Sequence, residues 1–274
     1  MAGHSKTYYL FADIGYTVQV QIIAVGNHKG GVAKTTTVAT VAAQLAIRGR
    51  RVLMVDTDPQ GGLTRLVGAP HSPSLADVIG LAAPGLPMST AVYNVAERLD
   101  LVPAARALAA CELALTARVA REHVLAKALA PLSAAYDVCL IDCPPSLGLL
   151  TVAALAAAAG VLVPTKAAAL DLGAVADYLE TIATIRAEIN PGLQLVGVVV
   201  VMATKTNAVA DAIDAMRSAG WPLMRSTIGA STRVAEAAAI HQVITTYDPT
   251  SDRATEYTQL SKEIETWLQR TVKQ

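Results

Sequence analysis

The 274-residue chain reads as an α/β protein: a single domain built on a mostly parallel twisted sheet flanked by helices. Three observations predict this. From residue 22 onward, short β-branched runs alternate with longer helical patterns, as strands joined by crossover helices require. The run Val196-Gly-Val-Val-Val-Val201 is apolar on both faces, as expected of a strand covered from both sides. Apolar residues make up 53% of the chain and charged residues 16%, which excludes global disorder and permits one large core.

In chain order, strands are expected at residues 22–26, 51–55, 99–102, 137–141, 160–163, 195–201 and 223–228. Between and after them, helices are expected at 34–47, 104–132, 147–159, 171–189, 207–218, 232–239 and 253–272. The Pro/Gly-rich stretch at 68–87 reads as a surface excursion. Residues 1–20 read as an N-terminal appendage without signal-peptide character, ahead of a domain spanning 21–274.

Charge excludes the simplest partner arguments, because 22 Lys+Arg balance 22 Asp+Glu and any polyanion must be met by a local patch. Cys111, Cys139 and Cys143 suit neither a disulfide framework nor zinc, which fits a reducing cytoplasm. The only uncharged stretch of membrane-spanning length, residues 143–165, holds Pro144, Pro145, Gly148 and Gly160. It divides into loop, buried helix and strand, so no membrane span is expected.

The sharpest motif lies between the first strand and the first helix: Gly26-Asn-His-Lys-Gly-Gly-Val-Ala-Lys-Thr-Thr-Thr37. In a phosphate-binding loop, backbone N–H groups and a helix N-terminus face the phosphates, a lysine bridges the outer phosphates, and a hydroxyl coordinates Mg²⁺. Lys34 and Thr35 have those roles, with Gly30, Gly31, Val32, Ala33 and Thr36 supplying the surrounding backbone. His28 and Ala33 replace both glycines of the ordinary G-x-x-x-x-G-K-[ST] pattern. Two further segments deliver carboxylates to the carboxyl edge of the sheet, where open α/β sheets bind ligands. Val52-Leu-Met-Val-Asp-Thr-Asp-Pro-Gln-Gly-Gly62 presents Asp56 and Asp58, both placed to face a γ-phosphate, and Val138-Cys-Leu-Ile-Asp142 presents one more.

Lys29-Gly30-Gly31 resembles the deviant phosphate loop K-G-G-x-G-K-T of the ParA/MinD superfamily, a P-loop NTPase type of fold. V-D-x-D-P-Q-G and D-x-P-P-S resemble switch I and the Walker B region of its ParA/Soj family. The likeness runs from about Gln21 to the C-terminal helix. It implies a Mg²⁺- and ATP-dependent ATPase in which Lys29 reaches across an ATP-dependent homodimer to the partner's nucleotide and Asp58 orients the attacking water. Asp142 supports the metal, directly or through water, and Asp56 assists behind it. Ala33 stands where the pattern has glycine. A positive φ there would cost about 1 kcal/mol, whereas a residue already in the helix would carry no strain. The position before Lys34 favours the latter.

The resemblance further implies nonspecific double-stranded DNA and a ParB-like adaptor as partners, with a cytoplasmic protein associated with the nucleoid in its ATP state. Lys205, Arg217, Arg225 and Arg233 are the candidate DNA contacts, Arg233 lying inside R-V-A-E-A. The family's P-R-N before it is replaced by Gly229-Ala-Ser231, which removes an arginine. A MinD-like positioning ATPase at the membrane and a metabolic or metal-handling ATPase are the alternatives. The C-terminal stripe Ile264, Trp267, Leu268 and Val272 carries both charge signs around it and suits a helix packed on the core.

Overall fold

The computed structural model describes residues 20–80 and 85–272, so the expected appendage lies outside the described residues except for Val20. Among the described residues, eight strands form one sheet: β1 (Gln21–Val25), β2 (Val52–Asp56), β3 (Tyr93–Ala96), β4 (Leu99–Val102), β5 (Val138–Asp142), β6 (Gly160–Thr165), β7 (Gln194–Ala203) and β8 (Leu223–Gly229). Their order is β3-β4-β2-β5-β1-β6-β7-β8, and every pair is parallel except β3 with β4. The helices are α1 (Lys34–Ile47), α2 (Gly62–Leu66), α3 (Leu75–Ile79), α4 (Leu108–Leu115), α5 (Val124–Leu129), α6 (Leu149–Ala157), α7 (Ala169–Glu188), α8 (Asn207–Ser218), α9 (Thr232–Ala239), α10 (Ile244–Tyr247) and α11 (Asp252–Val272).

Strand periodicity divides the core into two layers. Along β1 and β2, Ile22, Ala24, Leu53 and Val55 face one layer with α3 to α7, whereas Ile23, Val25, Val52 and Met54 face the other with α1 and α11. Both faces are apolar, so the strands read as continuous hydrophobic runs. Ile264 and Leu268 of α11 are buried and Trp267 packs against the same layer, so the C-terminal stripe is used internally. Among the described residues, no helix is long and apolar enough to cross a membrane. Residues 143–165 form the loop, α6 and β6.

Three local expectations are corrected. The helix expected at 104–132 is broken into α4, α5 and short 3₁₀ turns, because Ala120 takes a left-handed conformation (φ 53°) and Pro131 lies in the last turn. The excursion at 68–87 contains α3, held by a Ser74/Asp77 capping box and burying Leu75 and Ile79. β3 went unrecognised because three of its four residues are exposed and give no apolar alternation.

Candidate functional site

The central strands β1, β2 and β5 end side by side, which brings the loop and the acidic strand ends together. Asp56 and Asp142 are direct register partners, and Val25 pairs with Asp142 from the other side. Gly26 leaves β1 in contact with the buried Tyr178 ring of α7, so tightly that a Cβ would overlap the phenol oxygen. Asn27 then anchors the loop: its Nδ2 donates to the Pro164 carbonyl (2.8 Å) and its Oδ1 accepts from the Lys29 N–H (3.0 Å).

Gly31 (φ 69°) and Ala33 (φ 53°) both adopt left-handed backbone, a conformation that recurs in anion-binding concavities. This corrects the expectation that Ala33 already belongs to the helix. It is the N-cap of α1, outside the helical region, and its Cβ carries about 1 kcal/mol of strain that glycine would not. No side chain caps α1, so its first N–H groups are left for a ligand.

Lys34 is buried and donates to the carbonyls of Asn27 (3.2 Å) and Lys29 (2.9 Å). Burial lowers its pKa, against the opposing charges of Asp142, Cys143 and Asp58. Thr35 donates its hydroxyl to Asp142 Oδ2 (2.7 Å). Asp142 Oδ1 is buried without a hydrogen-bond partner, and burial beside Asp56 pushes the Asp142 pKa well up. A buried carboxylate oxygen lacking a donor, next to a threonine hydroxyl, is a hard-oxygen set suited to Mg²⁺.

Asp56 is turned inward. It is fully buried; Oδ2 accepts from the Thr64 N–H (2.8 Å) and hydroxyl (2.7 Å), and Oδ1 accepts from the Asp58 N–H (3.1 Å). Burial raises its pKa to about 6. Asp56 therefore fixes the backbone that carries Asp58. Asp58 is half-buried, and its Oδ1 accepts from the Gln60 N–H (2.8 Å). Gly62 closes this loop against Thr35, whose Oγ1 would lie 3.3 Å from an added Cβ.

Lys29 pairs with Asp171 at the start of α7; the Lys29 side chain is 43% exposed and that of Asp171 2%. Sequence reasoning missed Asp171, Asn27, Thr64 and Tyr178. Asp171 pairs with a residue 142 positions away and Tyr178 packs against Gly26, while Asn27 lies inside the phosphate-loop motif but its bond to the Pro164 carbonyl has no local mark. The three cysteines are buried, and burial pushes the Cys139 and Cys143 thiols far above their ordinary range.

The four candidate DNA contacts do not converge on one subunit. Lys205 follows β7 and Arg233 follows β8, so both lie at the carboxyl edge. Arg225 near the start of β8 and Arg217 at the end of α8 lie toward the opposite edge. Arg217 pairs with Asp214 (2.9 Å); Arg233 pairs with Asp248 (2.8 Å) and lies over Tyr247. Arg253, unnoticed in the sequence, lies against Gly229 and donates to the Ala230 carbonyl (3.1 Å). A guanidinium thus reaches from α11 to the segment that lacks the expected arginine.

A family model described as an AAA domain matches residues 20–195. Soj, a chromosome-partitioning ATPase of Thermus thermophilus, is 37% identical over 90% of this chain and 96% of its own length. Sporulation initiation inhibitor protein Soj of Bacillus subtilis is 35% identical, covering 89% of this chain and 98% of that protein. Chromosome partitioning protein ParA of Caulobacter vibrioides is 33% identical over 89% and 94%. Among solved structures, cobyrinic acid a,c-diamide synthase of Mycobacterium smegmatis with an ATP analogue and magnesium aligns at TM-score 0.79 with 34% identity, covering 90% of this chain and 96% of that one. The cell division ATPase MinD of Pyrococcus furiosus shares the fold at TM-score 0.75 and 24% identity, covering 90% and 99%. With likeness of this extent lying over the loop and strand ends just described, the chain belongs to the ParA/Soj family of ATPases.

Proposed function

We propose that this Mg·ATP-dependent ATPase works as an ATP-dependent homodimer that partitions plasmid or chromosomal DNA. In the ATP state it holds nonspecific double-stranded DNA, and a ParB-like adaptor stimulates hydrolysis. The observation that carries the reading is the placement of Lys29. Its ammonium stands partly exposed on the buried carboxylate of Asp171, while Lys34 and Thr35 serve the subunit's own phosphate loop. The names of the Soj and ParA relatives support partition as the purpose.

Thr35 and Asp142 would hold Mg²⁺, which when bound would supply charge neutralisation at the phosphates. The loop amides and Lys34 bind the phosphates, Asp58 orients the attacking water, and Asp56 holds the Asp58 backbone in place. Lys29 from the neighbouring subunit stabilises the charge that spreads over the γ-oxygens, as an arginine finger does in other phosphoryl-transfer enzymes.

The likeness to the cobyrinic acid a,c-diamide synthase structures favours a second reading, a metabolic ATPase on the same fold. Steady-state ATP hydrolysis with and without nonspecific DNA, repeated at raised salt, separates the two. Stimulation by DNA that fades with salt supports partition. Stimulation by lipid vesicles instead supports a MinD-like role, and stimulation by neither supports the metabolic reading.

A further inference from the structure

We propose that the cleft lined by Pro59, Gln60, Arg65, His71 and Arg106 is an anion site that takes a phosphate group. The cleft has a volume of about 380 Å³, and no carboxylate lines it. Two other clefts are lined by carboxylates: one sets Glu256 beside Lys205 and Arg253, and the other sets Asp177 and Glu180 beside His28. Among the described residues, neither Arg65 nor Arg106 takes part in an ion pair.

Two of the lining side chains, His71 and Arg65, are held by backbone. His71 Nδ1 lies 2.8 Å from the Ala104 carbonyl, which can only accept, so this nitrogen carries the proton. The His71 ring packs against the left-handed turn at Gly61 (φ 64°). Arg65 donates to the Gln60 carbonyl. Two guanidinium groups sharing a cleft without a counter-charge repel each other, and a tetrahedral dianion relieves that repulsion while matching their fork geometry. The cleft also adjoins the loop assigned to water activation, since the Gln60 N–H donates to Asp58 Oδ1 (2.8 Å). The inference does not depend on the partition reading. Its ligand is a phosphate group, either free phosphate or a phosphate of the DNA backbone.

The test is calorimetric titration of inorganic phosphate into the full chain saturated with Mg·ADP at low ionic strength. Saturable binding in the millimolar range or tighter is expected. R106Q should weaken it by at least about tenfold and R65Q/R106Q further, with ADP affinity unchanged and R106K closer to wild type. A short DNA duplex that displaces phosphate assigns the site to the DNA backbone; a duplex that leaves binding unaltered assigns it to free phosphate. Absence of saturable binding, or an affinity the same in R65Q/R106Q as in wild type, overturns the proposal.

Discussion

The carboxyl ends of β1, β2 and β5 and those of β7 and β8 belong to one sheet edge, yet they are organised in opposite ways. At the first, Lys34, Asp56 and Asp142 are buried and each is held by a hydrogen-bond partner, Lys34 by its own loop, Asp56 by Thr64 and Asp142 by Thr35. At the second, Lys205 and Arg233 are exposed, and the other candidate cations stand toward the far edge on Arg217 and Arg225. The difference teaches what kind of ligand each region can serve. Chemistry on one phosphoryl group needs convergent, preorganised groups, whereas holding a long polyanion needs only charge spread along an assembled surface.

The largest expected effect tests convergence. Lys29→Ala should lower turnover by about 10³-fold, the lower range for a charge supplied in trans, while ATP still binds. Turnover within threefold of wild type in a steady-state assay would break the comparison. Asp58→Ala should retain ATP in equilibrium binding and lower single-turnover hydrolysis by about 10²-fold or more. Smaller effects are expected at the dispersed region, where Arg233→Ala and Arg225→Ala should each reduce the salt slope of DNA binding by about 1 without altering ATP affinity. Loss of all DNA binding from one of these changes would show that the second region is convergent after all. The smallest effect concerns the loop itself: Ala33→Gly should raise stability in urea denaturation by about 1 kcal/mol by relieving the positive φ.

How much of this was legible follows from the same contrast. Strand-loop-helix context and the apolar runs ending in Asp56 and Asp142 sufficed to place the phosphate loop and its acidic neighbours, because each signal occupies a few contiguous residues. The bonds that hold Asp56 were not legible, since they depend on Thr64 folding back over the strand end. Asp171 was not legible either, because its pairing with Lys29 exists only once α7 packs beside the loop. In the fold, the regular crossover pattern identified the parallel strands, but Ala120 and Pro131 interrupted a helical composition that local propensity alone extends through both. The charge that Arg253 carries to Ala230 depends on α11 crossing β8, a contact without any local mark in the chain.

The central claim is that each catalytic site is completed by the neighbouring subunit's Lys29. The most direct measurement mixes two inactive chains, Lys29→Ala and Asp58→Ala, and follows ATP hydrolysis. A mixed dimer contains one site with a native Asp58 and a Lys29 donated from across the interface, so an equimolar mixture should recover about a quarter of wild-type turnover. A mixture as inactive as its components, with mixed dimers shown to form, would contradict the claim and place Lys29 in its own subunit's site.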